Sequence, residues 1–190
     1  MNRNEITPKM LLKFLTKNFD FEFCPPIDVE KICDILKIKI VETIDMELLD
    51  KIGSISFANN RPKIWLNPAE NNYENRRRFT IAHEIGHYIL HLDKNEGSNK
   101  IVDSKNSLSR SETYWDSKEY EANNFAAQLL MPHELIKKHG KKIIETYKGE
   151  NNVDKVPVNF FIEQMSNLFK VSKQAMKYRL VNLGFIKGRL

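Results

Sequence analysis

The chain has 190 residues, 41% of them hydrophobic and 29% charged, with only 7 Gly and 7 Pro, a composition that excludes fibrous and globally disordered classes. Its 30 Lys and Arg against 25 acidic residues leave a formal charge of +5, which permits nucleic-acid contact without arguing for it. There is no window of ~20 apolar residues and no charged-then-apolar leader, and Cys24 and Cys33 are too few for a disulfide framework, so a soluble, cytoplasmic protein with no membrane partner is expected.

Residues 7–19 carry apolar side chains at helical spacing, and residues 27–36 do so again after the Pro25-Pro26 break, so two short helices open the fold. From Ile38 to Val41 the pattern turns alternating and β-branched. Alternation returns in Ser54–Phe57 and Ile64–Leu66, on either side of Asn59-Asn60-Arg61-Pro62, which predicts a hairpin. A long helix is predicted from about Asn72 to Leu92. Residues 93–118, rich in Ser, Asn, Lys and Asp, are too many for an ordinary connection and predict a flap or lid. Helical periodicity resumes at about Ser117 and stops at Pro132, the first-turn proline of a short helix closed by Gly140. Residues 148–157 read as a linker, and 158–184 as two helices separated near Lys170-Val171, the second N-capped by Ser172. The chain therefore divides into residues 1–147 and a C-terminal part, residues 148–190, in a helix-rich α+β fold with a small sheet.

The chemistry lies in Ala82-His83-Glu84-Ile85-Gly86-His87. Histidines four apart project from one face of a helix, ~6 Å apart along its axis, so one zinc ion can bridge them. Glu84, turned by about 100°, stands beside the metal and is placed as the catalytic base. A hydrolytic site also needs a third protein ligand. His91 lies too far along the same helix and is expected to play a supporting or helix-end role. The better candidate is Glu119: Ala122, Phe125, Ala126, Leu129 and Leu130 form a core-facing stripe, and Glu119 falls within about 60° of its centre, whereas Glu121 falls outside it. An inward carboxylate needs a cation, so Glu119 is the predicted ligand and Glu121 a solvated residue. Asn123, one turn after Glu119, is placed to support a ligand by a hydrogen bond.

These residues, with Arg76-Arg77-Arg78-Phe79-Thr80-Ile81 before them and Phe125-Ala126-Ala127 through Leu129-Leu130-Met131-Pro132 after, resemble the ImmA/IrrE family of zinc endopeptidases over roughly residues 50–140. The resemblance implies a helix-rich, zincin-like α+β core with zinc held by His83, His87 and Glu119. It also implies the substrate, a partner helix-turn-helix repressor of a mobile element or stress response. The edge of the hairpin, residues 54–66, is expected to receive the extended substrate as an added strand.

Residues 159–184 offer an alternative, since they read as a helix-turn-helix with Ile162, Met165, Leu168, Val171, Ala175, Leu180 and Leu183 inside. Lys173, Gln174, Lys177 and Arg179 would then face DNA. On that reading the protein is a DNA-binding regulator, or a toxin-antitoxin component, with a peptidase-like module.

Overall fold

The computed structural model describes residues 6–58, 61–92, 98–104 and 113–187. Thr7 accepts a hydrogen bond from the Met10 amide and Pro8 fills the first turn, so helix α1 (Pro8–Asn18) starts as its sequence dictates and buries Leu11, Leu12 and Leu15. Asp28 caps α2 (Val29–Ile35) in the same way, and Val29, Ile32 and Cys33 are buried.

Four strands follow, β1 (Lys39–Glu42), β2 (Lys51–Ala58), β3 (Arg61–Leu66) and, after helix α3 (Glu74–Leu90), β4 (Ser98–Ser104). Their spatial order is β1-β3-β2-β4, with β1 parallel to β3 and the other two pairings antiparallel. Ile40, Ile64, Ile55 and Ile101 stand opposite one another across all four strands, and the last three are buried. That row belongs to the hydrophobic core shared with the helices.

This order corrects two expectations. Among the described residues, strands β2 and β3 are both interior to the sheet, and its edge strands are β1 and β4, not the hairpin. Part of the expected lid is a strand: residues 98–104 pair with β2 from Lys51↔Ser104 to Ala58↔Ser98, while residues 93–97 and 105–112 lie outside the described residues, as does the turn at Asn59-Asn60.

Helix α4 (Thr113–Leu130) packs along α3 more extensively than any other pair of helices. Gly86 makes the approach possible, because a Cβ there would lie 3.2 Å from both Cα and O of Ala122 and 3.3 Å from Cβ of Phe125. Two of these atoms are backbone, so only a shift of α4 would relieve the crowding. Gly86→Ala is expected to destabilise the metal-free protein by about 1 kcal/mol, overpacking of about 1–3 kcal/mol being offset by up to about 1 kcal/mol of helix propensity. A urea unfolding midpoint no lower than wild type would show that the helices part without cost.

Helix α5 (His133–Asn151) does not end at Gly140. The glycine is buried against Phe161, whose Cζ would stand 3.0 Å from an added Cβ, so it serves the contact with α6 (Val158–Phe169) and the helix runs on through it. Since α5 reaches Asn151, the connection to α6 is shorter than the linker expected from residue 148. Ser172 caps α7 (Lys173–Asn182) by accepting from the Ala175 amide. Ile162, Met165, Phe169, Val171, Met176 and Leu180 are buried in the same cluster as the residues of α3 and α4. Among the described residues, no helix is long and apolar enough to cross a membrane.

Candidate metal centre

The entry to α3 is fixed from several sides. Arg77 bonds Glu42 of β1 through Nε and Nη2 (2.9 and 2.6 Å) and also pairs with Glu30 of α2. Buried Arg78 donates to the Ile27 carbonyl (2.7 Å). Thr80 donates its hydroxyl to Asn71 Oδ1 (2.6 Å), and Asn71 donates in turn to the Ile52 carbonyl at the start of β2 (2.9 Å). The arginine-rich run before the histidines is therefore an anchor that sets where the helix lies on the sheet.

From Thr80 to Ile89 α3 is buried continuously, including His83, Glu84 and His87. A buried imidazole needs partners for both nitrogens. Nδ1 of His83 lies 3.1 Å from Oδ1 of Asn123, an acceptor, so His83 carries its proton on Nδ1 and keeps a lone pair on Nε2. Nδ1 of His87 faces Nδ1 of His91 at 3.0 Å, and Nε2 of His91 lies 2.9 Å from Oε2 of Glu121. A carboxylate only accepts, so His91 donates from Nε2 and accepts at Nδ1. His87 must then donate from Nδ1, which leaves its Nε2 lone pair free to bind as well.

Both lone pairs converge. Nε2 of His83 and Nε2 of His87 are 2.9 Å apart, and the Glu119 carboxylate on α4 closes over them, Oε2 at 3.2 Å from the first and Oε1 at 3.0 Å from the second. Three acceptors aimed at one point repel unless a cation lies among them, either a proton or a metal ion. Burial would push the Glu119 carboxyl up, but with a proton lying among the three acceptors its contacts with the two imidazoles prevail and hold it at about 2, so it is ionised at neutral pH. Burial pushes His87 below its ordinary value despite the bond to Glu119, which favours the neutral, ligating ring. Two imidazole nitrogens and a carboxylate oxygen form a donor set that zinc accepts readily.

Glu84 is fully buried on the sheet side of α3. Its carboxylate passes over Gly53 of β2, where an added Cβ would stand 2.9 Å from Glu84 Oε1 and 2.8 Å from Thr80 Cγ2. The missing side chain at Gly53 is what admits the carboxylate between helix and sheet. Sequence reasoning overlooked this residue, although a glycine inside a strand is itself a sign of close approach.

The structure thus brings His83, His87, Glu119 and Asn123 together and buries Glu84 on the same helix. Glu121 is exposed as expected, its side chain 56% open to solvent, and it also bonds His91, a contact the sequence did not show. The four residues assigned to a DNA face have no part in this cluster. Lys173 pairs with Glu163, while Gln174 and Lys177 are exposed. Arg179 is turned inward, against expectation: its Nε donates to the Met131 carbonyl at 3.1 Å, binding α7 to the end of α4. Burial accordingly lowers its pKa.

Comparison with known proteins agrees with this geometry. The profile of the peptidase family M78, the IrrE N-terminal-like domain, matches residues 36–181. The chain is also 27% identical over 165 residues to Metallopeptidase ImmA of Bacillus subtilis (strain 168), a match covering 86% of this chain and 80% of that protein.

Proposed function

Because this chain belongs to the peptidase family of the IrrE N-terminal-like domain and is a metallopeptidase, we propose that it is a cytoplasmic, zinc-dependent endopeptidase that cleaves a partner helix-turn-helix repressor of a mobile element or stress response. The observation that carries the reading is the convergence of three buried acceptors, His83 Nε2, His87 Nε2 and the Glu119 carboxylate, on one point. Support for the repressor as substrate comes from the family resemblance, while the name of the Bacillus relative supports the metallopeptidase activity.

In this mechanism His83, His87 and Glu119 are the metal ligands, and Asn123 fixes the ring of His83. Bound zinc supplies Lewis acidity, polarising a peptide carbonyl and making water more acidic. Glu84 accepts a proton from the attacking water and returns it to the departing amide nitrogen. Its complete burial shields it from bulk solvent, and its seat over Gly53 holds it apart from the ligand face.

The test is to incubate zinc-loaded protein with any helix-turn-helix repressor found to be encoded beside it and to weigh the products. Two fragments whose masses sum to the repressor plus one water, absent when a chelator is added, are expected. An intact repressor, alongside cleavage of other proteins, would reject the substrate and leave the peptidase.

A further inference from the structure

His91 caps the C-terminal end of α3, one turn beyond His87, and its amide bonds the His87 carbonyl at 2.9 Å. The two rings lie 5.1 Å apart, tilted by 56°. The His91 side chain is only 6% exposed, whereas that of Glu121 is 56% exposed. Glu121 is two residues after Glu119 on α4, hence turned by about 200° from it, and it cannot reach the point where the ligand atoms meet. His91 spans that gap, with its Nε2 bonded to Glu121 and its Nδ1 to His87.

We propose that His91 and Glu121 are positioning residues for His87, locking its tautomer and ring plane and so setting the affinity of the metal site. The inference rests on the reading of His83, His87 and Glu119 as ligands. The two histidine ligands are held by different means. An amide oxygen orients His83, and a neutral amide adds little to the basicity of the ring. On His87 a carboxylate acts through a second imidazole, and partners of this type fix ring orientation and strengthen the ligand nitrogen. With the Glu121 carboxylate at one end, each neutral ring has one proton and only one way to place it. Removing either link frees His87 to exchange tautomers, and one of the two puts a proton where the metal lone pair is needed.

The test measures zinc affinity of the full chain by competition with a chromophoric chelator, and the visible spectrum of the cobalt-loaded protein. His91→Phe and Glu121→Ala are each expected to weaken zinc binding about 10–100-fold. Both should alter the cobalt ligand-field bands, and Glu121→Ala, at an exposed position, should leave the thermal midpoint of the metal-free protein in place. Glu121→Gln, whose amide oxygen still accepts from His91, should recover most of the affinity. The double variant His91→Phe/Glu121→Ala should bind no more weakly than His91→Phe alone, because the carboxylate acts only through the imidazole. Unchanged affinity in folded variants, or losses that add, would overturn the inference. Glu121→Ala, at an exposed position, keeps the test decisive if His91→Phe fails to fold. A wild-type chain that binds no zinc would instead overturn the ligand assignment, and this inference with it.

Discussion

Glu84→Gln protein is expected to bind zinc as tightly as wild type and to cleave its substrate about 10² to 10⁴-fold more slowly, the range that a positioned general base typically contributes. The substitution is nearly isosteric, so the seat over Gly53 and the packing of α3 on β2 are kept. What changes is the capacity to take a proton. Metal affinity is unaffected because the ligand atoms belong to His83, His87 and Glu119, and Glu84 is not one of the three acceptors that meet. His83→Ala makes the control, since it should lose zinc and cleavage together. Zinc content measured beside the initial rate separates the two variants. A Glu84→Gln enzyme that is fully loaded and fully active would remove Glu84 from the chemistry.

The parts of the site that were legible in the sequence are those that local geometry determines. Histidines four apart share a helix face whatever surrounds them, and the wheel of α4 turns Glu119 inward with the stripe of Ala122, Phe125 and Ala126, while Asn123, one turn later and exposed, still reaches the ring of His83. The parts that were not legible depend on neighbours distant in the chain. Strand β4 reads as a polar connection because it is an edge strand, although Ile101 enters the core. Gly140 reads as a helix stop because the ring of Phe161, twenty-one residues later, is what requires the small residue. A helical wheel places the Cβ of Glu121 but not its carboxylate, which reaches His91 while much of the side chain remains in water. Arg179 reads as a DNA-facing residue for a related reason, since the Met131 carbonyl that holds it lies far away in the chain, just past the end of α4.

Glu119→Ala is expected to weaken zinc binding by more than about 100-fold, beyond the 10–100-fold typical of supporting partners. The carboxylate closes over both imidazole nitrogens, and no other carboxylate among the described residues joins that cluster. Binding to the folded state alone stabilises it by RT ln(1 + [L]/Kd), about 4.1 kcal/mol at a zinc concentration of 1,000 Kd. A 100-fold loss of affinity at that concentration lowers the contribution by about 2.7 kcal/mol, or roughly 5–11 °C in Tm for a chain of this size. The quantity to compare is the zinc-dependent rise in Tm, measured for each variant with zinc and with chelator. That difference cancels whatever the lost carboxylate does to the metal-free fold, where its contacts with the imidazoles contribute stability above about pH 4.5 that is lost as pH falls toward 2. Glu119→Ala should forfeit more of the rise than Glu121→Ala, because one carboxylate meets the ligand nitrogens directly and the other acts two hydrogen bonds away. Equal losses would mean that the two act alike, and an undiminished rise in Glu119→Ala would mean that α4 supplies no ligand.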